Sequence, residues 1–283
     1  MKLEIIAQEN TTLKKELLKH KDKITFTKIN SALRKKDVKV NGKKTNDENF
    51  EVKIGDKIEV FYTENEIKIE KIIEDENIII AFKPFGIETT KQDKTYEGKS
   101  LEELVGFTAV HRLDMFTEGL VILAKNKDSE KELLEAIKSH KIEKTYTALI
   151  NGSFKEKSGK LHDYHFFNSK EKLAHISKTK KHGFLPITTT FKQIKVLQNN
   201  TSIIEIGLIT GKTHQIRAHL AYYNHAIIGD QKYGDTKINK QHKFKHQCLT
   251  ASGLKFNFEK NSPLNYLNNK KFYITPTWLK NVA

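Results

Sequence analysis

The feature that most constrains this chain is a polar loop set between two apolar runs. His111-Arg112-Leu113-Asp114-Met115-Phe116-Thr117-Glu118-Gly119 follows the apolar stretch Phe107 to Val110 and precedes Leu120-Val121-Ile122-Leu123-Ala124. Runs of this kind fold as buried strands, and a polar loop held between buried strands is a usual place for chemistry. Asp114 is therefore the first catalytic candidate. The alternative is a surface turn in which His111, Arg112 and Asp114 form only a local ion pair.

A core is available to hold such a loop, because 37% of the 283 residues are hydrophobic. That suffices for one large or two smaller domains. Lysine and arginine total 50 against 35 aspartate and glutamate, a formal charge of +15. The excess suits a polyanion, with RNA or DNA ahead of an anionic membrane surface; a generally lysine-rich composition would give the same charge without such a partner. Met1 to Glu9 carries acidic and amide side chains too early for a signal peptide, and no apolar run approaches membrane-spanning length. A cytoplasmic monomer without membrane association is expected. The single cysteine, Cys248, excludes an internal disulfide. The twelve histidines lack ligand spacing, so they are expected at the surface or on RNA, and no metal is expected.

Taken in order, leucines from Leu13 to Leu18 and the set Ile29, Ala32 and Leu33 predict two short basic helices, the second over Lys28 to Lys35. Val38 to Lys43 alternates into an Asn-Gly turn, and Val52 to Val60 alternates again. Residues 1–62 thus form a small helix-helix-strand domain, with a linker at Thr63-Glu64-Asn65-Glu66. Arg34, Lys35, Lys36, Lys39, Lys43 and Lys44 crowd its second helix and hairpin, a positive stripe able to track an RNA backbone. A merely solvated basic face is the plainer alternative.

Residues 67–283 read as a second domain of α+β character. Lys68 to Phe82 predicts a hairpin, and Ser100 with Glu103 a helix with a capping box. Lys91 to Lys99 is a polar loop. After the strand Leu120 to Ala124, Asp128 or Ser129 is placed as the cap of a helix with Leu133, Leu134 and Ile137 inward. Strands follow at Lys144 to Ile150, Ile187 to Val196 and Ser202 to Leu208. Gly159 to Lys181 mixes lysines, histidines and rings, which fits either a base-holding surface or a half-buried insertion. Thr213 can cap a helix running to about Tyr223, which projects Arg217 from its first turns. A strand, a glycine turn and a helix start also describe a phosphate site, but no glycine-rich nucleotide loop is present. The tail to Trp278 alternates like edge strands.

Four stretches in fixed order carry a resemblance: Phe82-Lys83-Pro84-Phe85-Gly86, His111 to Leu120, Lys144-Thr145-Tyr146-Thr147-Ala148-Leu149, and Thr210-Gly211-Lys212-Thr213-His214-Gln215-Ile216-Arg217. Together they resemble the RluA-type pseudouridine synthases, whose signature is His-Arg-Leu-Asp, two free positions, then Thr-Ser-Gly-Leu. Gly229-Asp230 followed by Tyr233-Gly234 fits as well. Three departures stand out: Glu118 replaces a usual serine, Lys212 a usual arginine, and Thr250 a usual histidine. The first domain resembles the alpha-L RNA-binding module at Asp37 to Gly42 and Gly55 to Ile58.

The resemblance implies a central, mainly antiparallel mixed sheet flanked by helices, and isomerisation of uridine to pseudouridine within RNA, without a cofactor. It implies Asp114 as the catalytic residue, Tyr146 stacking on the target base, and Arg217 pairing with Asp114. Arg112 would fill the space vacated by a flipped nucleotide, with His111 and Lys212 as further RNA contacts. Large-subunit ribosomal RNA is favoured by the first domain, with transfer RNA as the other candidate. Two rivals remain open: a glycosidase using Glu118 as a second acid, and an RNA-binding protein without activity.

Overall fold

The computed structural model describes residues 1–20, 22–63, 67–92 and 98–282. The expected linker lies outside them except for Thr63, as does the middle of the Lys91 to Lys99 loop. Met1–Lys68 makes one compact unit; Ile69–Gln92 with Gly98–Ala283 makes the other.

In the first unit the order is β1 Lys2–Ile6, β2 Thr11–Thr12, α1 Leu13–Lys19, α2 Phe26–Lys35, β3 Val38–Val40, β4 Lys43–Thr45, β5 Glu51–Val52 and β6 Lys57–Phe61. Leu13 and Leu17 from α1 and Ile29, Ala32 and Leu33 from α2 are buried against Val38, Val40, Ile58 and Val60. The helix α2 begins two residues before its sequence pattern indicates, because the Thr25 side chain accepts from the Lys28 amide and caps it. Asn41 and Gly42 both take positive φ, 49° and 80°, the turn that an Asn-Gly pair favours between twisted strands. Sequence patterning missed β1, which pairs antiparallel with β6. Arg34, Lys35, Lys36, Lys43 and Lys44 are exposed and Lys39 is half-buried, its Nζ 5.3 Å from the Phe61 ring centroid.

The second unit runs β7 Glu70–Glu74, β8 Ile78–Lys83, α3 Leu101–Val105, β9 Thr108–Ala109, β10 Glu118–Ala124, α4 Lys127–Lys138, β11 Ile142–Asn151, β12 Ser158–Asn168 and β13 Leu173–Ser177. It continues with β14 Leu185–Val196, β15 Thr201–Leu208, α5 Gln215–Tyr222, α6 Thr236–His242, β16 Leu249–Phe256 and β17 Lys271–Tyr273. One mixed sheet carries it, in the order β13-β12-β14-β15-β11-β16-β10-β8-β7, with β17 on β16 and β9 on β10. The pairs are antiparallel except for β10 with β16, which is parallel through Glu118↔Thr250 and Gly119↔Ala251. This is the expected α+β arrangement.

The strand β10 is buried throughout. Val121 and Leu123 join the core on one face, and Leu120, Ile122 and Ala124 the core on the other. A strand covered on both faces reads as a continuous apolar run, which is why this stretch stood out. Gly119 starts it at φ +132°, and a Cβ there would lie 2.4 Å from the Ala251 carbonyl oxygen. The glycine is required by the approach of the two strands.

Several local expectations need correction. The cap of α4 is Asn126, whose side chain accepts from the Ser129 amide, one helical step ahead of Asp128 or Ser129. Leu134 is 48% exposed; Ala136 takes its place in the core. Residues 159–181, expected as either a base-holding surface or a half-buried insertion, contain most of β12 and all of β13 at the end of the sheet. The tail is an edge only in part, since β16 lies between β11 and β10 with seven of its eight residues buried, while the short, largely exposed β17 pairs with β16 outside that order. The helix α5 is not capped by Thr213; His214, at φ 58°, occupies the cap position without a side-chain cap bond. The histidines are not all superficial, since His219 and His165 are buried. His219 Nε2 and Asp163 Oδ2 are 2.9 Å apart, and its Nδ1 is 2.9 Å from Thr189 Oγ1.

Candidate active site

The loop between β9 and β10 is fixed from several sides before any charge is considered. The Leu113 amide donates to Thr89 Oγ1 and the Thr89 hydroxyl donates back to the Leu113 carbonyl, at 3.1 and 3.2 Å. The Ile122 amide donates to His111 Nε2 at 3.2 Å, and burial lowers the His111 pKa well below its ordinary range, with Lys144 adding to the effect. His111 is therefore neutral and ties the loop to β10. Gly86 donates its amide to the Met115 carbonyl at 2.8 Å.

Lys83 also holds this loop, a role its sequence context does not reveal. It is fully buried, and its Nζ donates to the carbonyls of Pro84, Ile87 and Met115 at 3.0, 2.9 and 3.1 Å. Three acceptors match the three hydrogens of an ammonium group. Burial pulls its pKa down to about 7, against the opposing charges of Asp114 and Glu118.

Asp114 and Arg217 are separated by 103 positions and meet in space, Arg217 Nη1 donating to Asp114 Oδ2 at 3.0 Å. Arg217 is buried, so it is not a surface helix residue free for phosphate. Its other edge is clamped by Asp230, Nε to Oδ2 at 2.7 Å and Nη2 to Oδ1 at 3.0 Å. Such a two-point contact fixes the plane of the guanidinium and aims its remaining N–H. Burial alone would raise the Asp230 pKa, but Arg217 and the amides of Lys232 and Tyr233 hold it below the usual value. Asp230 belongs to the Gly229-Asp230 motif, but nothing along the chain points to Arg217 as its partner.

Asp114 keeps 25% of its side chain exposed and opens into a cleft of about 450 Å³ lined also by His111, Arg112, Lys144, Tyr146, Lys212 and Arg217. A cleft of that size suits a small ligand or a single nucleotide. Tyr146, on β11, is only 6% exposed, and burial with the nearby Asp114 charge pushes its phenol pKa up. Arg112 and Lys212 are exposed at the cleft. His214 Nε2 stands 3.9 Å from Asp114 Oδ2, and its Nδ1 is 2.8 Å from the Tyr233 hydroxyl. Burial lowers its pKa to about 4, so the ring is neutral at pH 7. Among the described residues no three His, Cys, Asp or Glu side chains group as metal ligands, and no helix is long and apolar enough to cross a membrane.

Glu118 faces away from this chemistry. Its Oε1 accepts from the Thr250 hydroxyl and the Thr277 amide, both at 2.8 Å, and its Oε2 from the Thr277 hydroxyl at 2.6 Å. Trp278 Nε1 donates to Thr250 Oγ1 at 2.8 Å. Two of the three departures from the family pattern, Glu118 and Thr250, are thus one contact between paired strands.

The mixed sheet that carries this cleft has the fold of pseudouridylate synthase domains. The fold matches the structure of human RNA pseudouridylate synthase domain containing 1, with TM-score 0.62 and 19% identity over 79% of this chain and 89% of that one. It also matches human RNA pseudouridylate synthase domain containing 4, with TM-score 0.59. The RNA pseudouridylate synthase family matches residues 77–222. An RNA pseudouridine synthase of Mycoplasma capricolum subsp. capricolum, itself uncharacterised, is 34% identical over 96% of each chain. Ribosomal large subunit pseudouridine synthase C of Rickettsia bellii is 31% identical over 76% of this chain and 80% of the relative. The chain belongs to the RluA-type RNA pseudouridine synthases, and it is an isomerase acting on RNA.

Proposed function

We propose that this enzyme isomerises uridine in large-subunit ribosomal RNA, with Asp114 as the catalytic residue. The observation that carries the reading is the 3.0 Å contact between Arg217 and Asp114 inside a cleft that also holds Tyr146. Isomerisation breaks the bond from N1 of uracil to C1′ of the sugar, turns the detached base, and joins C5 to the same carbon. Asp114 serves by attacking C1′ or by taking the neighbouring 2′ proton. Arg217 holds the carboxylate in place, and the Tyr146 ring stacks on the base. The target must leave the stack first, at a cost of a few kcal/mol that is smallest in a loop or bulge. Arg112 fills the space it leaves, with Lys212 on the adjoining backbone.

Ribosomal RNA is favoured because relatives from Rickettsia and Buchnera carry a ribosomal large subunit name. The first unit acts as an alpha-L-like module whose Arg34, Lys35, Lys36, Lys39 and Lys43 contact phosphates. The glycosidase reading loses its second acid, because the Glu118 oxygens are already bonded. The test is to incubate the protein with unmodified ribosomal and transfer RNA and map pseudouridine at each uridine. Product in large-subunit RNA is expected; product confined to transfer RNA would overturn the substrate assignment. Deleting residues 1–62 should weaken binding to ribosomal RNA and flatten its salt dependence, and an unchanged salt slope would remove the first unit from RNA binding.

A further inference from the structure

Three aromatic rings lie together beside the catalytic loop, and nothing in the reaction described above uses them. The Phe116 and His246 rings stack with centroids 4.8 Å apart and planes 6° from parallel. Phe85 packs on the same histidine at 4.9 Å and 37°. Both phenylalanines remain open to solvent, 49% exposed at Phe85 and 40% at Phe116. Phe116 occupies one of the two free positions of the family signature, and His246 lies outside the four stretches that carry the resemblance.

The rings come from three separate loops, and each loop is fastened to the next. Gly86, next to Phe85, donates its amide to the carbonyl of Met115, next to Phe116. Gln247, next to His246, donates Nε2 to Thr117 Oγ1 at 2.8 Å, and Thr117 is the other neighbour of Phe116. The His246 backbone packs closely on Gly229, where a Cβ would lie 2.0 Å from its carbonyl oxygen. Gly229 adjoins Asp230, which clamps Arg217. The platform is thereby set at a constant place relative to Asp114, two residues from Phe116. Lys243 and Lys245 are exposed on the loop that supplies His246, and partial burial, with Lys245 adding to it, lowers the His246 pKa and so favours the uncharged ring.

We infer that Phe85, Phe116 and His246 form a stacking platform for an unpaired RNA base flanking the target uridine. Exposed rings beside lysines are how proteins hold single-stranded nucleic acid: the π-faces take bases and the charges take phosphates. A base held there would keep the strand splayed while the target occupies the cleft. The inference rests on RNA as the substrate and not on the role of Asp114, so Asp114→Asn should leave the platform intact.

The test compares a fluorescently labelled short oligoadenylate with an oligomer of equal length and charge that lacks bases, each titrated into the full-length protein by anisotropy. The wild-type protein should bind the base-bearing strand about tenfold tighter, the range expected for stacking of one base. The double variant Phe85→Ala/Phe116→Ala should lose at least fivefold of that preference, while its affinity for the abasic strand and its salt dependence stay as they were. Phe116→Leu, which keeps the apolar bulk and removes the ring, should lose part of the preference and guards against misfolding of the double variant. Retention of the full preference in folded variants would overturn the inference. So would concentration-dependent sedimentation that the double variant abolishes with the preference unchanged, which would make the patch a contact between copies of the chain.

Discussion

Asp114, on the loop before β10, and Glu118, the first residue of that strand, lie four residues apart, carry the same chemical group, and have opposite fates. Glu118 is buried with three donors on its two oxygens. Asp114 is partly open, with one N–H of Arg217 on one oxygen. A carboxylate held by three donors in a closed space stabilises the fold and can do little else. One that is oriented from a single side, with capacity left toward a cleft, is available for chemistry. Residue type therefore identified both as candidates, and unspent hydrogen-bonding capacity separates them.

The comparison breaks most severely if the arrangement that orients Asp114 proves dispensable. Asp230→Asn removes the charge that clamps Arg217 and leaves a buried guanidinium with one carboxylate. Turnover should fall about a hundredfold from misplacement alone, and stability by ~3 kcal/mol, read by single-turnover kinetics and chemical denaturation. Unchanged turnover would show that Arg217 needs no clamp.

Glu118→Ala tests the other end. It orphans the Thr277 amide and the Thr250 and Thr277 hydroxyls, and should destabilise the protein by about 2–4 kcal/mol. Turnover per folded molecule should stay within about threefold of wild type, and a much larger loss would return Glu118 to the chemistry.

The smallest effect concerns pH. The folded pKa of His214, about 4, lies below its ordinary value of 6.5, so the unfolded chain binds the proton first. The stabilisation from neutral His214 is fully present above pH 6.5 and is lost as pH falls toward 4. His214→Gln should flatten the stability-pH curve in that window without abolishing its slope, because burial also lowers the pKa of His165 and His219. An identical slope in the variant would contradict the burial of a neutral ring.

Much of this was legible in the sequence, for identifiable reasons. The apolar run of β10, the capping box of Ser100 and Glu103, and the Asn-Gly turn are local patterns, and local patterns survive folding. The meeting of Asp114, Tyr146 and Arg217 followed from motif resemblance, since nothing local links positions 103 apart. What stayed hidden depends on burial and long-range pairing. Lys83 looks like any surface lysine until three carbonyls close around it. Seven buried residues out of eight leave β16 no period of two, and its parallel partner lies more than 130 positions away. The Asp163–His219 pair joins β12 to α5 inside the fold, where spacing along the chain gives no hint.

We propose that the carboxylate of Asp114, and not that of Glu118, performs the reaction. Pseudouridine formation under single turnover by Asp114→Asn and Glu118→Gln, at equal folded concentration and saturating RNA, tests it most directly. The account predicts no detectable product from Asp114→Asn with RNA affinity retained, and near-normal product from Glu118→Gln. Turnover by Asp114→Asn at the wild-type rate, or its loss in Glu118→Gln alone, would contradict it.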